Sequence, residues 1–195
     1  MPTDQPASRA LRDLTWTPAQ RRTMNAAMEL IGRHGVGGTS LQMIADTVGV
    51  TKAAIYYQFR TKEEIVIAVT AHELASLEEA VEDAEAEPDR QRARKLLLAR
   101  VIDMAVTRRD WTRTLQHDPV IMRLLGDYRP FRDFMGRLYG ALLDEHDDTE
   151  AQVAAAVLSA AIGGAVIHPL IAHVDDETLR ATLTDLTRRL LNLPE

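Results

Sequence analysis

The sequence predicts an all-α fold, and three observations carry that prediction. Hydrophobic residues make up 46% of the 195 residues while aromatics reach only 5%; Ala and Leu lead the apolar set, with few strand formers beside them. Helix-capping patterns recur along the chain. Between them, apolar residues fall at helical spacings rather than in alternation. A chain of this length makes one or two domains and buries a sizeable core. With no cysteine, disulfides, thiolate zinc sites and a cysteine nucleophile are excluded. The first 20 residues, "MPTDQPASRALRDLTWTPAQ", hold no apolar stretch and carry acidic residues. They do not read as a secretory signal, so the expected compartment is the cytoplasm.

The elements follow in order. "TPAQ", Thr17 to Gln20, supplies an N-cap Thr, a Pro at the first helical position and a Gln three residues after the cap. The helix it opens carries Met24, Ala27, Met28 and Ile31 on one stripe and stops near Gly35. "VGGTS" then breaks the chain. Thr39 to Gln42 repeats the capping pattern and starts a short helix, with Ile44, Ala45 and Val48 inside and Gly49 at its end. Thr51 caps a third short helix, whose inward residues are Ile55 and Phe59.

Beyond Lys62 the helices lengthen. One is expected from Lys62 to about Ala86, stopped by Pro88, and another from Asp89 to about Arg108. After a turn around Trp111, residues 118–146 read as helix interrupted at Tyr128 to Pro130. The last two helices are expected over roughly 149–172 and 176–192, separated by "HVDDE". No repeat, low-complexity tract or long linker is present.

Charge divides the chain. Residues 1–62 carry eight Lys/Arg against four Asp/Glu, a balance of +4, and residues 63–195 carry fifteen against twenty-five, a balance of −10. A basic third joined to an acidic remainder suggests one part that meets a polyanion and one that does not. Chance clustering of solvated charges is the competing reading.

The spacing in "LQMIADTVGVTKAAIYYQFR" is the most informative feature. With Leu41 as the first position of a helix-turn-helix, Ala45 falls fifth, where a small residue lets two helices approach. Gly49 falls ninth, where the turn is best made with positive φ. Ile44, Val48, Val50 and Ile55 fall where one helix is pinned onto the other. If Ile55 and Phe59 face inward, Lys52, Ala53, Tyr56 and Tyr57 lie on or near the outer face. Tyr56 and Tyr57 cannot both be core aromatics, because helical neighbours point about 100° apart. Lysines, tyrosine hydroxyls and a slim alanine front suit phosphates, sugars and a major groove.

These residues carry a family resemblance. Arg22 and Ala27 in the first helix, then "GGTSLQMIA", "GV" and above all "TKAAIYYQFRTKEEI", resemble the DNA-binding domain of the tetracycline-repressor (TetR) family of bacterial transcription regulators. The resemblance spans residues 17 to about 77. It implies a flexible tail over 1–16, a DNA-binding domain over 17–77 with its helix-turn-helix at 41–60, and an effector-binding and dimerisation domain over 78–195. It also implies an all-helical homodimer on double-stranded DNA, with the third helix in the major groove. The family's DNA contacts fall here on Thr39, Ser40, Gln42, Thr51, Lys52, Ala53, Ala54, Tyr56, Tyr57, Gln58 and Lys62. Tyr56 and Lys62 would meet phosphates, as would Thr39 or Ser40 at a helix N-terminus. Gln42, Lys52, Ala54 and Tyr57 would lie closer to bases. Two positions depart from the family pattern: Gln58 stands where His or Tyr is usual, and Arg60 where a small, apolar or Lys residue is common.

The remainder is less explicit. Ala154 to His173 contains no Asp, Glu, Lys or Arg, so a membrane span comes into question. Its alanine content, two histidines, proline and missing basic flank argue against one. Ala156, Ala160, Gly163 and Gly164 give a small-residue face suited to a partner helix, expected to form a four-helix bundle with the two-fold copy; packing within the chain is the alternative. For a small-molecule effector, Met104, Trp111, Met122, Phe131, Phe134 and Met135 offer apolar wall. Tyr128 and Tyr139 are further candidates, and His117, His168 and His173 could orient a ligand, with plain core or a surface group as the competing reading. "DEHDD" at 144–148 resembles a metal cluster in composition alone, and a solvated acidic turn fits it better. "GRHGVGG" lacks the strand and the Lys-Ser/Thr of a phosphate loop. No residue constellation asks for catalysis, a metal or a bound cofactor.

The expected function is therefore a dimeric DNA-binding regulator, a repressor released from a palindromic operator by a small-molecule effector. A regulator governed by a protein partner, or by no effector, is the alternative.

Overall fold

The computed structural model describes residues 15–143, 149–191 and 193. Among these residues there are ten α-helices, one 3-10 turn and no strand. The helices are α1 Pro18–Gly38, α2 Leu41–Val48, α3 Lys52–Gln58, α4 Lys62–Ala86, α5 Arg90–Thr107, α6 Arg109–His117, α7 Pro119–Asp127, α8 Arg129–Leu143, α9 Thr149–Val166 and α10 Asp176–Leu190. The chain forms two compact units. Among the described residues, the first comprises 15–76 and 118–134, and the second comprises 77–117, 135–143, 149–191 and 193.

In the first unit, the Thr17 capping box is complete in both directions, with Thr17 Oγ1 accepting from the Gln20 N–H and Gln20 Oε1 accepting from the Thr17 N–H. Met24, Ala27 and Ile31 are buried as their spacing requires, on a helix that packs against α2 and α3, where Ile44, Ala45 and Ile55 are buried too. Trp16 packs tilted on Phe59, ring centroids 6.1 Å apart, so this residue of the expected tail belongs to the folded unit. The rest of the tail, 1–14, lies outside the described residues. Helical geometry breaks at Gly35 (φ 69°, ψ 170°) and resumes briefly to Gly38.

The cap of α2 is one residue later than expected. Ser40 accepts from the Met43 N–H, while Thr39 is buried and its hydroxyl donates to the Gly35 carbonyl. Gly49 ends α2 in the left-handed region at φ 77°, where a β-carbon is costly. Val50, expected to pin the two helices, is instead exposed; its backbone N–H bonds to the Ala45 carbonyl, which turns the chain sharply toward Thr51. The first unit also takes in α7, with Pro119 at its first position and Asp118 as cap.

The second unit has its own core. Leu97, Leu98 and Ile102 of α5 are buried, as are Leu158 and Ile162 of α9 and Leu179 and Leu183 of α10. Arg180 of α10 reaches α5, donating to Asp103 at 2.8 Å and to Thr107 at 2.9 Å. Arg137 of α8 meets Glu85 of α4 through two nitrogens, at 3.0 and 2.7 Å, and that bond chiefly raises its pKa.

Two expectations are corrected here. Trp111 sits buried within α6 rather than on a turn. The ninth helix ends at Val166 instead of running to 172, because His168 and Pro169 divert the chain into a 3-10 turn, Pro169–Ile171. No helix among the described residues is long and apolar enough to cross a membrane.

Candidate nucleic-acid interface

Helix α3 is short, and its placement decides what its side chains can reach. Thr51 caps it by accepting from the Ala54 N–H, and the buried Ile55 and Phe59 fix its inner side. Lys52, Ala53, Tyr56 and Tyr57 are left exposed, with Ala54 half-buried beside them. Tyr57 is 95% exposed and Tyr56 47%. Scattered single exposures are ordinary in proteins, but two adjacent tyrosines beside a lysine form a coherent surface. Lys52 Nζ lies 5.7 Å from the centroid of the Tyr56 ring, within cation–π range. That contact holds a positive charge next to a phenol.

Neighbouring groups divide into those that face water and those already committed. Ser40, Gln42 and Thr51 are exposed. Gln42 Nε2 donates to Asp46 Oδ1 at 2.7 Å, an i,i+4 bond along the outer face of α2. Arg60 is exposed, and its backbone N–H donates to the Glu64 carboxylate at 2.7 Å.

Three residues given to DNA by their sequence positions have other partners. Thr39 is buried, as described. Gln58 Oε1 accepts from Thr23 Oγ1 at 2.9 Å, and Thr23 is itself fully buried. The amide thus braces α3 on α1, which accounts for a glutamine where a ring is usual. Lys62 Nζ donates to the carbonyls of Val36 and Thr39, the latter at 2.9 Å. Its charge satisfies two backbone acceptors at the α1–α2 connection instead of standing free. Sequence spacing places such residues near the interface, but their partners are set by tertiary packing.

The positions considered for an effector fall on both units. Met122, Tyr128, Phe131 and Phe134 belong to the first, and Met104, Trp111, His117, Met135, Tyr139 and His168 to the second. Three do not suit a pocket wall. Met122 is exposed. His117 is exposed, with Nδ1 3.0 Å from the Arg113 carbonyl. His168 is exposed and accepts from the Leu170 N–H, capping the 3-10 turn. Phe134 is fully buried, whereas Met104, Tyr128, Phe131, Met135 and Tyr139 are half-buried. Burial pushes the pKa of Tyr139 up, with its hydrogen bond to Ser159 acting the other way. Burial likewise raises Tyr128. Both phenols are therefore protonated at neutral pH. The indole N–H of Trp111 is buried without a hydrogen-bond partner. The acidic run at 144–148 lies outside the described residues.

The small-residue stripe of α9 separates into two uses. Gly163 is buried, and a β-carbon there would stand 1.7 Å from Gln116 Nε2. This glycine admits Gln116 of α6, whose amide donates to the Ser159 carbonyl at 3.3 Å, so it serves its own chain. Ala156 and Ala160 are exposed and Gly164 is half-buried. Exposed Val153 and Val157 extend that outer row, and exposed Leu186 and Leu190 lie on α10.

Residues 24–69 match the family model described as bacterial regulatory proteins, tetR family. Similar solved structures cover nearly the whole chain. The fatty acid degradation regulator FadR from Bacillus halodurans is 17% identical, with a TM-score of 0.70 over 91% of this chain and 96% of that one. A TetR-like transcriptional regulator from Rhodococcus sp. RHA1 is 19% identical, with a TM-score of 0.66 over 91% and 98%. FadR from Bacillus subtilis, solved in complex with stearoyl-CoA, is 17% identical, with a TM-score of 0.65 over 85% and 96%.

Proposed function

We propose that this chain, a member of the TetR family of DNA-binding transcription regulators, is a dimeric repressor that leaves a palindromic operator when a small molecule binds. The observation that carries the reading is the outer face of α3, where Lys52, Tyr56 and Tyr57 are exposed to solvent on a helix pinned by Ile55 and Phe59. Tyr57 and Lys52 would meet base edges and Tyr56 a phosphate, with Ala53 and Ala54 keeping the helix slim enough for a major groove. Ser40, Gln42 and Thr51 would add contacts at its flanks. Lys62, Thr39 and Gln58 would act from behind, holding the connection and the reading helix in place.

The exposed apolar row Val153, Ala156, Val157 and Ala160 would pair with its two-fold copy, joined by Leu186 and Leu190. Two heads about one DNA turn apart would then read a palindrome. An effector that binds better to a conformer with the wrong head spacing would release the operator. The half-buried Met104, Met135 and Tyr139 of the second unit favour an effector with an apolar body. Long-chain acyl-CoA thioesters are the first class to test, given the stearoyl-CoA bound by the Bacillus subtilis relative. The buried, unpartnered Trp111 N–H is a donor such a ligand's carbonyl could satisfy. The work would be done in the cytoplasm, on the chromosome, without a metal or catalytic step.

Two measurements bear on this reading. Duplex affinity should fall steeply with rising salt, and Tyr57→Ala should weaken binding about tenfold, near the low end of a base or stacking contact, while leaving stability within about 0.5 kcal/mol. Affinity unchanged in Tyr57→Ala would remove α3 as the reader. Acyl-CoA thioesters of increasing chain length should raise the melting temperature and dissociate the duplex. Stabilisation by none of them would turn the search to other apolar ligands or to a protein partner.

A further inference from the structure

The carboxylate of Asp118 serves two segments of the first unit at once. Its Oδ1 accepts from the backbone N–H groups of Val120 and Ile121, at 2.9 and 3.3 Å, and so caps α7. Its Oδ2 accepts from the Val36 N–H at 2.6 Å, across 82 residues of sequence. Val36 follows the positive-φ break at Gly35. Gly35 also leaves room for the carboxylate, since a β-carbon there would stand 3.2 Å from Oδ2.

The same short connection is gripped from its other side. Lys62 Nζ donates to the carbonyls of Val36 and Thr39, and the Thr39 hydroxyl donates to the Gly35 carbonyl. A carboxylate on the N–H of Val36 and an ammonium on its carbonyl hold one peptide segment between opposite charges. Both are charge-assisted bonds, stronger than neutral ones, and both charged groups are half-buried. The connection ends in Ser40, whose side chain caps α2.

We propose that Asp118 is a positioning residue for DNA binding. Its bond to Val36 sets the path of the α1–α2 connection, and through it the N-terminal end of α2 and Ser40. A carboxylate gains nothing from approaching phosphates, so its influence runs through the backbone it holds. This inference rests on the DNA-binding reading and adds to it a residue outside the helix-turn-helix.

The test uses the full chain and a duplex recovered by the wild type from a random library. Asp118→Ala should speed hydrogen exchange across residues 36–48 while α5 and α10 keep their protection. Its affinity should fall about tenfold through the loss of the charge-assisted bond to Val36, beside the loss of the α7 cap. The slope of log K against log salt should not change, because the number of phosphates neutralised is the same. Asp118→Asn, which keeps one acceptor oxygen, should recover part of both losses, and it carries the test should the alanine variant not fold. Wild-type exchange across 36–48 in the variants overturns the proposal, as does faster exchange with unaltered affinity. Tighter binding by Asp118→Asn overturns it too, by making Asp118 a mere repulsive charge. A folded wild type that recovers no duplex defeats the DNA-binding reading itself and the proposal with it.

Discussion

Val157→Asp is expected to turn the proposed dimer into a folded monomer and to lower affinity for a palindromic duplex at least about 100-fold. Val157 is 61% exposed in the single chain and lies in a row with Val153, Ala156 and Ala160. These positions stand at i, i+3, i+4 and i+7 on α9, one face of a helix. A carboxylate in the middle of that face costs little in a monomer, where water reaches it, with stability expected to stay within about 1 kcal/mol. In a two-fold contact it would meet its own copy and lose hydration without a partner. Each head alone then binds its half-site without the gain from linkage, which is on the order of 10² to 10⁴. Sedimentation and duplex titration read the two effects separately. A variant that remains dimeric would place the interface elsewhere.

Lys62→Ala is expected to lower the stability of the first unit by about 2 kcal/mol and to weaken operator binding as a consequence. A hydrogen bond from a charged group contributes about 1.5 to 3 kcal/mol. Lys62 makes two, to Val36 and Thr39, but it is only half-buried, and water would satisfy part of what it leaves. The salt slope separates this account from a direct phosphate contact. A lysine on a phosphate lowers the slope by about one when lost, whereas a lysine that braces the α1–α2 connection leaves it unchanged and lowers the melting temperature. Lys62→Met keeps the aliphatic stem and should behave like the alanine variant if the ammonium is what matters.

Local rules made much of this molecule legible. Thr17, Gln20 and Pro18 mark the start of α1 because all three act within one helical turn. Gly49 marks the end of α2 because a left-handed residue suits glycine, and Ile55 and Phe59 reveal the inner side of α3 through spacing alone. Exposure of Tyr56 and Tyr57 followed from the same geometry. What remained hidden depends on partners distant in sequence. Thr39 reads as the cap of α2 until the Gly35 carbonyl claims its hydroxyl and leaves the role to Ser40. Gln58 and Lys62 look free until Thr23 and the two carbonyls are placed beside them. The helix expected from residue 118 puts Asp118 at its start, but nothing local reveals that its carboxylate reaches Val36.

The C-terminal part shows the same division. A run of small residues in α9 reads as one face, but packing assigns Gly163 to Gln116 and leaves Ala156 and Ala160 outward. The apolar composition of residues 154–173 reads as one helix to about 172, but α9 stops at Val166, ahead of His168 and Pro169. Trp111 lies in a polar-looking segment, "RDWTRTLQH", whose apolar residues are too few to show a stripe, so its burial in α6 could not be read from the sequence.

In the proposed function, α3 reads DNA as one of a symmetric pair. The most direct measurement is selection from a pool of random duplexes by the purified full chain at moderate salt, with sequencing of what is retained. A palindrome whose half-sites are separated by about one helical turn should be enriched, and Tyr57→Ala should lose that enrichment. Retention of duplexes without a shared sequence, or of none by folded protein, would contradict that reading.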